Sequence, residues 1–139
     1  MTADEIIARL DLQPHPEGGW YRQSWVGTEE PRPSGTCIYF LLRHGEASHW
    51  HRVDATEIWH FYAGAPILLR TAASAAGPAT VHHLGPDLSA GQIPQVIVPT
   101  HHWQAAATIG AWTLAGCTVS PGFDFAGFEL AAPGFDIPF

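Results

Sequence analysis

The chain has 139 residues, 46% hydrophobic and only 14% charged, enough for one compact domain (residues 1–139) with a sizeable core and too apolar for intrinsic disorder. Thirteen acidic residues against six basic ones give a formal net charge of -7, which repels rather than steers a phosphate backbone, so nucleic acid is not an expected partner. All six basic residues are Arg, and the lack of Lys excludes lysine Schiff bases, lysine-anchored pyridoxal phosphate and the lysine of a P-loop.

The segment Thr2 to Leu12 reads as a helix: Thr2 is its N-cap, Glu5 closes a capping box, and Ile6, Ile7 and Leu10 form an apolar stripe. The acidic start Met1 to Glu5 is unlike a signal peptide, and no apolar run is long enough to span a membrane. A cytoplasmic protein without membrane contact is expected. The turn His15-Pro16-Glu17-Gly18-Gly19 follows, and His15 there is expected to hold the helix against the rest of the domain, with Gly18 and Gly19 supplying unusual backbone angles.

Short apolar or alternating runs come next: Trp20 to Val26, Thr36 to Leu42, His49 to Val53, Glu57 to Tyr62, Ile67 to Thr71, Thr80 to Leu84, Gln95 to Val98, Trp103 to Thr108 and Trp112 to Val119. Runs of this length, separated by Gly and Pro, point to an all-β sandwich or barrel. Glu29 to Gly35 reads as an exposed loop and Ala72 to Gly77 as a small turn. Phe123 to Phe139 reads as an irregular tail across the barrel, with a strand near Asp124 to Leu130. Cys37 and Cys117 lack the spacing of a zinc or redox motif and read as buried thiols, with a disulfide between them left open.

Nine His in such a chain are the strongest chemical signal, since imidazole both ligates metals and titrates near neutrality. The period of two along a strand predicts that His49 and His51 share one face, with Trp50 on the other. A hairpin-like link through Asp54, Ala55 and Thr56 is expected to bring Glu57 beside them. Two imidazoles and a carboxylate make a facial set with open positions for substrate or oxygen. His60 falls on the strand face opposite Glu57, Trp59 and Phe61. Only one of His82 and His83 can look inward, and His101 and His102 sit in an exposed turn from which either is able to swing toward a metal.

Gly45, His49, His51, Glu57 and Gly64 resemble the first motif of the cupin superfamily, and Gly91 through Pro99, His101 and Gln104 are similar to a degraded second one. The His15 to Gly19 turn, His51-Arg52, Glu57 to Phe61, Leu84 to Asp87, Pro94-Gln95, Val98-Pro99, Trp103 to Ala105 and Thr118 to Phe123 resemble the cupin-5 (DUF985) family in order along nearly the whole chain. The resemblance implies a double-stranded β-helix, or jelly-roll barrel, of RmlC-like type, commonly a homodimer, with a small-molecule pocket in its mouth. It implies no single reaction. The chain departs from the superfamily pattern in the long interval between His51 and Glu57 and in Gln104, which stands where the third His is expected and is a poorer transition-metal donor.

Tyr21, Arg22, Tyr39, Trp59 and Phe61 are the expected pocket walls, aromatic faces with a donor among them. Three functional readings follow. In the first, an isomerase- or epimerase-like enzyme uses His51 as general base, Glu57 to orient it or act as acid, and His49 to complete the polar cluster. In the second, His49, His51 and Glu57, with Gln104 as a further group, hold Fe(II), Mn(II), Ni(II) or Zn(II). The third is a ligand-binding or sensor protein that forms no product.

Overall fold

A computed structural model describes residues 1–139. The first helix, α1 (Ala3–Leu10), carries the expected capping box: the Thr2 hydroxyl accepts from the Glu5 amide, and the Glu5 carboxylate accepts from the Thr2 amide. Its apolar stripe, Ile6, Ile7 and Leu10, packs with Leu12 on Leu41, Trp20, Tyr39 and Trp112.

Eleven strands follow: β1 (Gln13–Pro14), β2 (Trp20–Val26), β3 (Thr36–Arg43), β4 (Ala47–Val53), β5 (Thr56–Gly64), β6 (Ile67–Ala72), β7 (Thr80–Leu84), β8 (Gln95–Val98), β9 (Trp103–Thr108), β10 (Trp112–Ser120) and β11 (Phe128–Leu130). They form a sheet ordered β1-β2-β3-β10-β5-β8 and a second ordered β11-β4-β9-β6-β7. All paired strands are antiparallel. The architecture is an all-β jelly-roll barrel with one short N-terminal helix. Every run read from the sequence is a strand, β11 lies inside the stretch given to the tail, and only the two-residue β1 had no signal.

The hairpin expected between His51 and Glu57 does not form. β4 pairs with β9 and β11, whereas β5 pairs with β10 and β8. Asp54 and Ala55 therefore carry the chain from one sheet to the other, and His51 and Glu57 face each other across the barrel instead of along a ladder.

Alternation along β10 divides the interior. Ala115 and Cys117 lie opposite Phe40, Phe61 and Trp59 at one end, where they pack with Leu42, Ile67, Leu69 and Leu84 in a closed apolar core. Val119 lies between Thr36 and Glu57 at the other end, and there the barrel is open. The tail runs over the outside of the second sheet, with Ile137 packed against Trp50, Ala72 and Trp103. Cys37 and Cys117 are both free thiols.

Candidate functional site

The open end holds a cavity of ≈ 240 Å³ whose polar lining is His15, Glu17, Thr36, His51 and Glu57, with Gln23 nearer solvent. Its apolar lining is Tyr21, Ile38, Val53, Val119, Phe123 and Phe125. The volume lies below the roughly 300–1,000 Å³ of ordinary ligand pockets, so it suits a small molecule.

His15 and Glu17 reach the cavity because their turn is pinned from both sides. The His15 amide donates to the Gly19 carbonyl at 2.9 Å, and the His49 amide donates to the Glu17 carbonyl at 2.8 Å. Gly18 has φ +107°, and a Cβ on it would lie 2.0 Å from the Ala47 carbonyl oxygen, so only glycine lets the turn lie against β4. Glu17 is thereby pushed into the barrel, and Ser48 donates its hydroxyl hydrogen to Glu17 Oε2. The expected role of His15 as an anchor for the helix is not what the structure shows. His15 packs edge-on against Tyr21 at 4.5 Å inside the cavity, in the turn that its amide closes onto the Gly19 carbonyl.

His51 is 2% exposed. Its Nδ1 lies 2.7 Å from the His49 carbonyl, an acceptor only, so Nδ1 carries the proton and Nε2 is the basic nitrogen. Nε2 points to Glu17 Oε1 at 3.5 Å. His15 shows the opposite tautomer: its Nδ1 accepts the Glu17 amide at 3.1 Å and lies 3.3 Å from Glu17 Oε1. Across the barrel, Glu57 Oε1 accepts from Gln104 Nε2 at 2.8 Å, and Gln104 Oε1 accepts from the Trp59 indole at 2.7 Å. The indole fixes the amide, and the amide fixes the carboxyl group.

Burial sets the protonation. It pushes Glu17 up to about 8, against the pull of the Ser48 hydroxyl, so Glu17 is a carboxylic acid at neutral pH. Burial also raises Glu57, with the nearby Glu17 adding to it and His51 opposing. His15 is lowered to about 4 by burial and by His51. Burial lowers His51 too, with Glu57 pulling the other way. A neutral base, Nε2 of His51, and a proton on Glu17 thus share one cavity.

His49 is not in this site. A β-bulge in β4 sets Ser48 opposite Ala106 and His51 opposite Gln104, so one extra residue breaks the alternation. Ser48 and His51 both point inward, while the His49 ring leaves the cavity for the Ala132 carbonyl in the tail, at 2.9 Å. Gln104 is fully buried and has its oxygen and nitrogen committed to Trp59 and Glu57. The implied donor set, with His49 turned away and Gln104 committed, therefore does not fit a metal.

Of the expected walls, Tyr21 lines the cavity. Arg22 and Tyr39 are opposite each other on β2 and β3 and face outward. The Arg22 guanidinium reaches the Leu10 carbonyl at 3.4 Å, and Tyr39 packs in the helix cluster. Trp59 and Phe61 point inward but belong to the closed core, one and two steps too far from the mouth. His60 lies 3.2 Å from Thr118 Oγ1, His82 lies 2.9 Å from Thr71 Oγ1, His83 is exposed, and His101 and His102 stay in their turn. The sequence reading missed Glu17, Phe123 and Phe125. Only the glycine pair after Glu17 signals a turn pressed against other backbone.

The family described as "Cupin superfamily (DUF985)" matches residues 4–131. This chain is a member of that cupin family. The cupin is 42% identical to protein SO0799 from Shewanella oneidensis, with a TM-score of 0.89 over 95% of this chain and 85% of that one. It is 29% identical to a hypothetical protein from Leishmania major, with a TM-score of 0.87 over 97% of this chain and 90% of the other. An oxalate decarboxylase from Bacillus subtilis shares the fold alone, at 12% identity and a TM-score of 0.64 over 85% of this cupin and 30% of that chain. No curated protein matches the cupin. No helix of the cupin is long and apolar enough to cross a membrane.

Proposed function

We propose that this cupin is a small-molecule enzyme of the isomerase or epimerase type, moving a proton between carbons next to a carbonyl group. The observation that carries the reading is the pairing of a basic His51 Nε2 with a protonated Glu17 carboxyl 3.5 Å away on one cavity wall. His51 Nε2 takes a proton from the carbon beside the carbonyl, the C–H electron pair becomes the C=C bond, and the carbonyl π pair moves to oxygen, which takes the proton of Glu17 Oε1–H to give the enol. The imidazolium then returns its proton to carbon at the new position or face while the enol O–H returns its proton to the Glu17 carboxylate, restoring the carbonyl and both groups. Glu57, held by Gln104, stabilises the imidazolium that exists between the two transfers.

Phe123 and Phe125 keep water from the half-reacted substrate. The test is solvent deuterium incorporation into an enolisable ketone under His51→Gln. Loss of exchange with an unchanged circular dichroism spectrum is expected; undiminished exchange removes the reading and leaves a binding protein.

A homodimer belongs to the same proposal. β8 is an edge of the larger sheet and exposes Ile97 at 62%, a face that pairing with a second copy would cover. Light scattering at the monomer mass would remove it.

A further inference from the structure

The cavity contains two carboxyl groups and two imidazoles but no cation. The chain has no Lys, and each Arg is placed elsewhere. Arg32 forms a bidentate pair with Asp54, Arg43 pairs with Glu46, Arg52 with Glu129 and Arg70 with Asp136. Arg22 reaches the Leu10 carbonyl, and Arg9 is exposed on the last turn of α1. The one α-helix, α1, packs on the outer face of the larger sheet, away from the cavity, and lends it no partial positive charge.

A carboxylate or phosphate entering such a pocket loses its hydration and meets no compensating charge, a cost that a cavity of this kind does not recover. A cation fares little better. Burial opposes the charged form of both carboxyl groups, Glu17 already faces Ser48 and the two imidazoles, and Oε1 of Glu57 accepts from Gln104. What the wall offers is an acidic O–H on Glu17, a basic nitrogen on His51, the polar groups of His15, Glu57 and Thr36, and apolar surface from Tyr21, Ile38 and Phe123.

We infer that the site selects an electroneutral, largely apolar carbonyl compound and rejects carboxylic acids, phosphate esters and amines of the same shape. This rests on the proton-transfer reading for the carbonyl, while the charge selection is read out by binding alone.

The probes are three compounds on one bicyclic frame: 2-tetralone, 1,2,3,4-tetrahydro-2-naphthoate and 2-aminotetralin, titrated at pH 7 by calorimetry or by amide chemical shifts of the cavity residues. The ketone is expected to bind at least tenfold more tightly than either charged analogue. Gln23→Arg places a guanidinium at the exposed rim of the cavity, and should raise naphthoate affinity several-fold relative to that of the ketone. Tighter binding of the naphthoate or the amine to the unaltered chain overturns the inference, as does failure of the ketone to bind. Ketone binding with no deuterium exchange leaves the charge selection standing and sinks the enzymatic reading instead.

Discussion

The two walls of the cavity hold similar groups by different means. On one wall, Glu57 is set by strand alternation and locked through Gln104 to the Trp59 indole. On the other, Glu17 is set by a turn, locked through Ser48 and the backbone of β4. The strand-built wall is a rigid chain of hydrogen bonds that ends in the core, whereas the turn-built wall depends on a glycine fitting against a neighbouring carbonyl. Equal burial of two carboxyl groups thus conceals unequal tolerance: the first wall resists loss of one bond, and the second fails as a whole if the turn moves.

The sharpest way to break that comparison is in the chemistry. Glu17→Gln keeps the shape and a neutral donor but loses the acid, and proton exchange should fall by about 10²–10⁴-fold, with Glu57→Gln losing less. A larger loss from Glu57→Gln would exchange the roles of the two walls. Next comes Gly18→Ala. With φ +107° and a carbonyl oxygen 2.0 Å from the new Cβ, the turn has to shift, and a stability loss of at least about 1–3 kcal/mol in urea melts is expected, together with loss of ligand binding.

Trp59→Phe tests the other wall. It strands the buried Gln104 oxygen without a donor, worth about 1–3 kcal/mol, yet ligand affinity should hold within a few-fold because Glu57 keeps its amide partner. Loss of binding as large as that of Gly18→Ala would erase the contrast.

The smallest effect is in the pH dependence. Glu17, ordinarily near 4.5 and held at about 8, keeps its proton in the folded chain after the unfolded chain has released it. Its stabilising contribution is complete below 4.5 and is lost as pH rises through 8. His15, ordinarily near 6.5 and held at about 4, acts in the opposite sense, since the unfolded chain binds the proton first as pH falls. Between pH 4.5 and 6.5 the two slopes cancel, so the Glu17 loss shows between 6.5 and 8. Urea midpoints should fall across that interval in the unaltered chain and stay flatter in Glu17→Gln.

The same contrast marks how far the sequence could be read. The strands, the jelly-roll barrel and the capped helix were legible because their periods are local: every inward residue of β3 and β5 follows the rule of two. Glu57 points inward for that reason, but His51 and Gln104 meet it because β4 and β9 face β5 across the barrel, not through the hairpin expected from the sequence. His49 does not join them, because a single extra residue in β4 reverses the pattern and nothing local in Ser48-His49-Trp50-His51 signals a bulge. Tyr39 and Arg22 went astray for a simpler cause: an aromatic or a cation says nothing about which face it occupies until one neighbour's partner is known. Glu17 was quoted only as part of a family turn, since a carboxyl group between Pro and Gly gives no sign that the loop is driven into the barrel.

Phe128 on β11 meets the tilted ring of His51 at 5.5 Å and lies edge-on to His15 at 6.3 Å, so both imidazoles take an apolar neighbour from the strand that pairs with β4, and a chain cut before residue 128 would lose that cover.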